Sequence, residues 1–338
     1  MQNFADIISI AVELCGTDKI TYLLDEIQNV QYWERWVNNL HTQGIKVFAT
    51  GSNAYLLSSE ISTYLTGRNK PITMFPFSFM EYLRLKHVEP FQQITSTKKS
   101  LINALFRDYL LTGGFPTIVK TGDIELSKQY VEDIINKDIL SRYQIRQIKE
   151  IKDLLLYLCS NTAKTYSYAT LKKVSGIKSL STIKRFIDYY QSVYILFTVG
   201  RFDYSLTKQK VSSAKPYIGD TSFLKTISFT FSENIGACLE NAVFLHLLRT
   251  RKQIFYHYDK KECDFVIKEG LHITQAIQVT VELSHPETKT RELDGLYSAM
   301  TAYKLKDGLI LTLDHEETLL YKNKRIVIKP AWKWMLGI

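Results

Sequence analysis

The sequence predicts an α/β protein that begins with a parallel-sheet unit, followed by helical and then mixed regions. Residues 19–26, "KITYLLDE", and 45–53, "IKVFATGSN", are apolar runs that each end in polar residues. Between them "YWERWVNNLHTQG" is amphipathic and closes on a glycine, a helix stop signal. Strand, helix, strand at this spacing is a βαβ unit, and such units build parallel sheets. A second α/β pattern fills the C-terminal third, with a helix over 232–249, strands at "QIFYHYD", "ECDFVIKEG" and "TQAIQVTVEL", a helix near 292–303, and strands at "DGLILTL" and "KRIVIKP".

From about Phe75 to Gln147 the pattern is mostly helical, broken by the turn "LLTGGFP". Three helical stretches, "EIKDLLLYLCSN", "SYATLKKVSG" and "SLSTIKRFIDYYQSVYIL", then run into the β-like "YILFTVGRFDYS". Helix, helix, longer helix and hairpin is the outline of a winged helix. The expected regions are therefore 1–80, 81–147, 148–215 and 216–338.

With 338 residues, 45% apolar and 23% charged, the chain has the composition of a globular protein, which excludes a disordered or low-complexity one. Four scattered cysteines form no C-x-x-C pair and read as reduced thiols. No apolar run is long enough to span a membrane and no basic leader precedes one, so a cytoplasmic protein without membrane contact is expected. The net charge of +9 suits an anionic partner such as nucleic acid or nucleotide.

The sharpest local signal is Asp25-Glu26 at the end of an apolar strand. At the carboxyl edge of a parallel sheet, an Asp can hold Mg²⁺ through water and a Glu can orient the attacking water. The plain alternative is a strand that exits to solvent through two acids. The next strand ends in Thr50-Gly51-Ser52-Asn53, and ligands of open α/β sheets bind beyond strand carboxyl ends. Ser52 or Asn53 could bond a terminal phosphate, or the string could cap the helix "AYLLSSEIS". Arg68, in "YLTGRN", is either a finger offsetting phosphate charge or a surface arginine. Trp33 and Trp36, three residues apart, share a helix face and read as core or interface anchors. His257 reads as a strand residue rather than a ligand.

The stretch "YLLDEIQNVQYWERWVNNLHTQGIKVFATGSN…YLTGRNKPITMFPFSF", with "GGFP", "INKDIL", "LENAVFLHL", "ECDFVI" and "QVT" further on, resembles the AAA-type P-loop ATPases of bacteria and archaea. Those proteins carry a C-terminal domain of unknown function with a restriction-endonuclease-like core. The resemblance implies a partial P-loop AAA core, a helical lid, a winged helix and a PD-(D/E)xK-like α/β domain. It makes Asp25 and Glu26 the Walker B pair, Ser52 and Asn53 the sensor region, and Arg68 an arginine finger, with ATP and Mg²⁺ as cofactors. The family's phosphate loop, G-x-x-x-x-G-K-[ST], is missing from these 338 residues, which contain no Gly-Lys pair at all. Only 24 residues precede Asp25. The expectation is a family member truncated at its N-terminus that binds ATP weakly on its own. It would self-associate, or pair with a polypeptide supplying the missing strand.

The nuclease resemblance implies metal-holding acids at Glu240 and Asp264, but Gln278-Val-Thr280 stands where the pattern has acid-x-Lys. The site is expected to be degenerate and nuclease activity absent, with Lys289 or Arg291 as the cations able to substitute. Around the winged-helix outline, Lys172, Lys173, Lys178, Lys184 and Arg185, then Arg201, Lys208 and Lys210, could neutralise DNA phosphates or form a solvated basic face. The two function classes are thus an ATPase-family protein lacking its phosphate loop, and a non-enzymatic nucleic-acid-binding or interaction protein.

Overall fold

The structure is a computed structural model, and it describes residues 4–16, 20–27, 30–52, 65, 67–91, 95–227 and 234–338. Asn53 and the expected helix "AYLLSSEIS" lie outside the described residues. The chain divides into two compact units. One comprises residues 1–74 with 192–194, the other 75–191 with 195–338. Among the described residues no helix is long and apolar enough to cross a membrane.

In the first unit, α1 (Phe4–Cys15) precedes β1 (Thr21–Leu24), α2 (Trp33–Thr42) and β2 (Lys46–Ala49). The strands pair in parallel, Thr21 with Lys46 through Leu24 with Ala49. Helix α2 forms because Trp33, Trp36, Val37 and Leu40 repeat at helical spacing and are all buried. It ends because Gly44, at φ +76°, takes the left-handed conformation that lets its N–H donate to the His41 carbonyl and the Ile45 N–H to the Leu40 carbonyl, both at 3.0 Å. The core gathers Tyr22, Ile27, Trp33, Trp36, Val37, Leu40 and Leu65, with Phe4 stacked on Trp36 at 4.8 Å.

Among the described residues these two strands are covered on one face only. Leu23 and its cross-strand partner Phe48 are 77% and 49% exposed, whereas parallel strands are ordinarily covered on both faces.

The second unit opens with α3 (Phe79–Leu85), α4 (Ser96–Thr112), α5 (Pro116–Thr121) and α6 (Glu125–Asp133), the last continued by a π-helical stretch, Ile134–Ser141. A capping box starts α3, with Ser78 and Glu81 each bonding the other's backbone N–H. The three helices read at 148–192 are α7 (Ile148–Ser160), α8 (Tyr168–Ser175) and α9 (Leu180–Ser192). An antiparallel pair, β3 (Leu196–Gly200) and β4 (Ala214–Ile218), follows with α10 (Leu206–Val211) in its loop.

After α11 (Ser222–Ile227) come α12 (Ile235–Arg249), β5 (Gln253–Tyr258), β6 (Glu262–Glu269), β7 (His272–Val279), α13 (Pro286–Ala302) and β8 (Asp307–Thr312). The chain closes with β9 (Glu317–Tyr321), β10 (Lys324–Pro330) and α14 (Ala331–Leu336). The six strands form one sheet in the order β5-β6-β7-β8-β10-β9. Strands β5, β6 and β7 are an antiparallel meander, and the crossover α13 then makes β8 parallel to β7. Helix α13 starts at Pro286, earlier than the sequence pattern suggested, because proline suits the first helical position.

The Gly-Gly turn after α4 is a buried junction. Gly114 N–H donates to Asp220 Oδ2 at 2.8 Å, and its carbonyl accepts from Phe77 N–H at 2.7 Å. Tyr109 OH donates to the Phe77 carbonyl at 3.0 Å, and Arg249 Nη2 to the Pro76 carbonyl at 2.7 Å. Asp220 is buried and its other oxygen accepts from Ser222 N–H and Oγ. The "FPFSF" and "GGFP" strings are therefore two sides of one hydrogen-bonded joint.

Candidate functional site

Two places bring the expected site residues together. The first is the carboxyl end of β1 and β2. Because the strands run in parallel with Leu24 opposite Ala49, the residues just past each end are neighbours. Thr50 N–H donates to the Leu24 carbonyl at 2.8 Å, which continues the ladder. The Thr50 hydroxyl donates to Asp25 Oδ1 and accepts from Glu26 N–H, the latter at 3.1 Å. Glu26 adopts φ +47°, an unusual conformation for a residue with a side chain. Asp25, Glu26 and Ser52 are exposed, so the acids face solvent at the sheet's edge.

Arg68 is exposed, and its guanidinium Nη1 donates to Asn38 Oδ1 on α2 at 2.6 Å. It is tethered to a neutral amide rather than to an acid. Thr50 and Asn38 are the contacts that motif reading did not assign. Thr50 stood within the quoted strand end, while nothing in the sequence marked Asn38.

The second place is the junction of β4, α12 and β6. Here the sequence reading named Glu240, Asp264 and Gln278, and the structure adds a residue that reading missed. Lys215, on β4, is 1% exposed, and its Nζ lies 2.9 Å from Asp264 Oδ1, 3.2 Å from Glu240 Oε1 and 2.8 Å from Glu262 Oε1. Tyr217, two residues along the same strand and so on the same face, donates its hydroxyl to Glu240 Oε1 at 2.7 Å. The substitutes expected from the sequence are engaged elsewhere, Lys289 with Glu317 at 3.5 Å and Arg291 with Glu292 at 2.6 Å. That expectation is corrected: the cation comes from β4, where the hairpin β3–β4 brings Lys215 against Glu240 of α12. A lysine inside the apolar strand "AKPYI" was the only available signal.

Burial, and then the Asp264 charge, push the Glu240 carboxyl up to about 8, against the pull of Lys215 and the Tyr217 hydroxyl. Burial alone would pull the Lys215 ammonium down, but Asp264, Glu240 and Glu262 together hold it well above the ordinary lysine range. Asp264 Oδ2 accepts from Val279 N–H at 2.9 Å. Gln278 Oε1 accepts from Asp264 N–H at 3.3 Å, and its Nε2 donates to Glu292 Oε2. The amide orientation is fixed, since an N–H only donates and a carboxylate only accepts. Among the described residues no group of three or more His, Cys, Asp or Glu is arranged to hold a metal ion.

Two further readings can be compared with the structure. His257 is buried on β5 between Tyr303 OH, 2.9 Å from Nδ1, and Ser298 Oγ, 3.0 Å from Nε2. Burial pulls its pKa down to about 4, so it is a neutral packing residue. Lys178, Lys184 and Arg185 are exposed, as are Lys172 and Lys173, and Lys184 Nζ lies 5.1 Å from the centre of the Tyr168 ring.

Comparison with known proteins adds the lineage. Residues 1–83 match the AAA domain, and residues 103–234 match a domain of unknown function, DUF8612. The uncharacterized protein MJ1544 of Methanocaldococcus jannaschii is 31% identical over 99% of this chain and 78% of its own length. An uncharacterized protein of Haemophilus influenzae is 30% identical over 85% of this chain and 71% of its own. The uncharacterized protein MJ1637 of M. jannaschii is 25% identical over 90% of this chain and 69% of its own. No solved structure matches. The chain, mixed α/β and opening on an AAA domain segment followed by DUF8612, therefore belongs to the family of MJ1544.

Proposed function

We propose that the first unit supplies the metal and water side of a nucleoside triphosphate site. The observation that carries this reading is the Asp25–Thr50 hydrogen bond at the matching ends of two parallel strands. Ligands of open α/β sheets bind there, and the AAA domain match covers the same residues. Bound Mg²⁺ would supply charge neutralisation on the phosphates. Asp25 is the residue to hold it through water, with Thr50 fixing the carboxylate's rotamer. Glu26 is the residue to polarise water, and Ser52 is the residue to bond the terminal phosphate, the role the sequence also offers Asn53. Arg68 would leave Asn38 to reach phosphate, so its contribution is conditional on nucleotide.

A P-loop cradles phosphates with backbone N–H groups and a lysine. No G-x-x-x-x-G-K-[ST] string occurs in these residues, so binding by the 338-residue chain is expected to be weak. Calorimetric titration with Mg²⁺–ATP is expected to give a dissociation constant of about 1 mM or weaker. A micromolar constant would mean that the phosphates are cradled by residues outside this reading, and would overturn it.

A second reading rests on a different observation. The exposed cations Lys172 and Lys173 on α8, Lys178 in the connection after it, and Lys184 and Arg185 on α9 cluster in sequence just before a hairpin, an arrangement suited to nucleic-acid backbone. Neutralising four phosphates gives a slope of log K against log salt of about −3.6 for duplex DNA. The expected result is that Lys184→Glu with Arg185→Glu lowers affinity and flattens that slope. Salt-independent binding, or no binding at low salt, removes this reading.

A further inference from the structure

A nuclease core of the kind this sequence resembles implies a divalent cation between its acids. The residues present do not fit that group, because the place is already filled. We propose that the Lys215 ammonium is the resident cation of the Glu240–Glu262–Asp264 centre, closing it to Mg²⁺ and Mn²⁺, and that removing the ammonium uncovers a latent divalent-cation site.

Three oxygens from α12 and β6 converge on one atom at 2.8, 2.9 and 3.2 Å. An ammonium has three N–H donors and no acceptor; it donates to Glu240 and Asp264 and pairs by charge with Glu262. The surrounding groups are committed as well. Asp264 uses its second oxygen on Val279 N–H. Gln278, where the nuclease pattern has an acidic ligand, spends its oxygen on Asp264 N–H and its nitrogen on Glu292. Glu292 is in turn held by Arg291. A cation of charge +2 entering this centre would meet an ammonium at contact distance and find no free ligand on Gln278.

The same geometry says what happens without Lys215. Even with Glu240 protonated, Asp264 and Glu262 leave a charge that a single ammonium only partly balances, and a divalent ion balances it better. Metal–oxygen bonds to Mg²⁺ are 2.0–2.1 Å, so the oxygens need to close in by about 1 Å. Glu262 is the least buried of the three acids and opens the route from solvent.

The test uses the full chain and Mn²⁺ alone, followed by electron paramagnetic resonance and thermal unfolding. In the unsubstituted chain, no Mn²⁺ binding that Glu262→Gln removes is expected. Lys215→Met is expected to bind Mn²⁺ at least about tenfold more tightly than the unsubstituted chain. Its unfolding midpoint should rise in millimolar Mn²⁺, and both effects should vanish in Lys215→Met with Glu262→Gln. Three results would overturn the proposal: Mn²⁺ binding by the unsubstituted chain that Glu262→Gln abolishes, a folded Lys215→Met with no gain in Mn²⁺ affinity, or a Lys215→Met chain that stays unfolded at millimolar Mn²⁺.

Discussion

Lys215→Met is expected to cost about 3–5 kcal/mol of unfolding free energy in metal-free buffer. Methionine approximates the volume of the lysine stem, so the loss is electrostatic rather than a cavity. Three acids that now share a buried cation would face one another unpaired in a low-dielectric junction. Urea unfolding checks this through a lower midpoint at an unchanged slope. The pH dependence gives a second handle. Folded Glu240 holds its proton up to about 8, against an ordinary value of 4.5. Between those values the folded form binds more protons than the unfolded one, so this group makes stability fall as pH rises through the window. Glu240→Gln is expected to flatten the fall between pH 5 and 8, and an unchanged profile would mean that Glu240 is ionised in the fold.

Gly114→Ala should be strongly damaging to the second unit, at about 3 kcal/mol or more. A Cβ on Gly114 would sit 2.4 Å from the Phe77 carbonyl oxygen and 2.8 Å from its nitrogen, both backbone atoms. Relief requires moving the chain, which breaks the Phe77–Gly114 bond and strips buried Asp220 of a donor. Gly122→Ala is the control. Its φ of +74° is unfavourable for alanine, but nothing lies within 4 Å of the added carbon, so about 1 kcal/mol is expected. Equal effects from the two substitutions, measured by denaturant midpoint, would deny the junction its role.

Much of the fold was legible because periodicity is a direct consequence of one-sided burial. The Trp33, Trp36, Val37, Leu40 spacing marked α2, and the apolar runs marked β1, β2, β6 and β7. Strand β9 escaped because a short, alternately exposed edge strand looks like loop. The candidate sites divide in the same way. Asp25 was legible because it closes its own strand, whereas the bond from Thr50 depends on the parallel register that sets the two strand ends side by side. Lys215 was not, since its partners lie 25, 47 and 49 positions further along the chain (240 − 215, 262 − 215, 264 − 215). A motif with fixed spacing cannot report a cation delivered by a separate hairpin. Arg68 was visible as a cation, but its bond to Asn38 depends on how the loop returns to α2.

The most direct test of the nucleotide reading is paramagnetic line broadening by Mn²⁺–ATP in amide spectra of the full chain. Broadening is expected to centre on Leu24–Ile27 and Thr50–Ser52 and to disappear in Asp25→Asn. Broadening that survives Asp25→Asn, or that centres away from the ends of β1 and β2, would contradict the account.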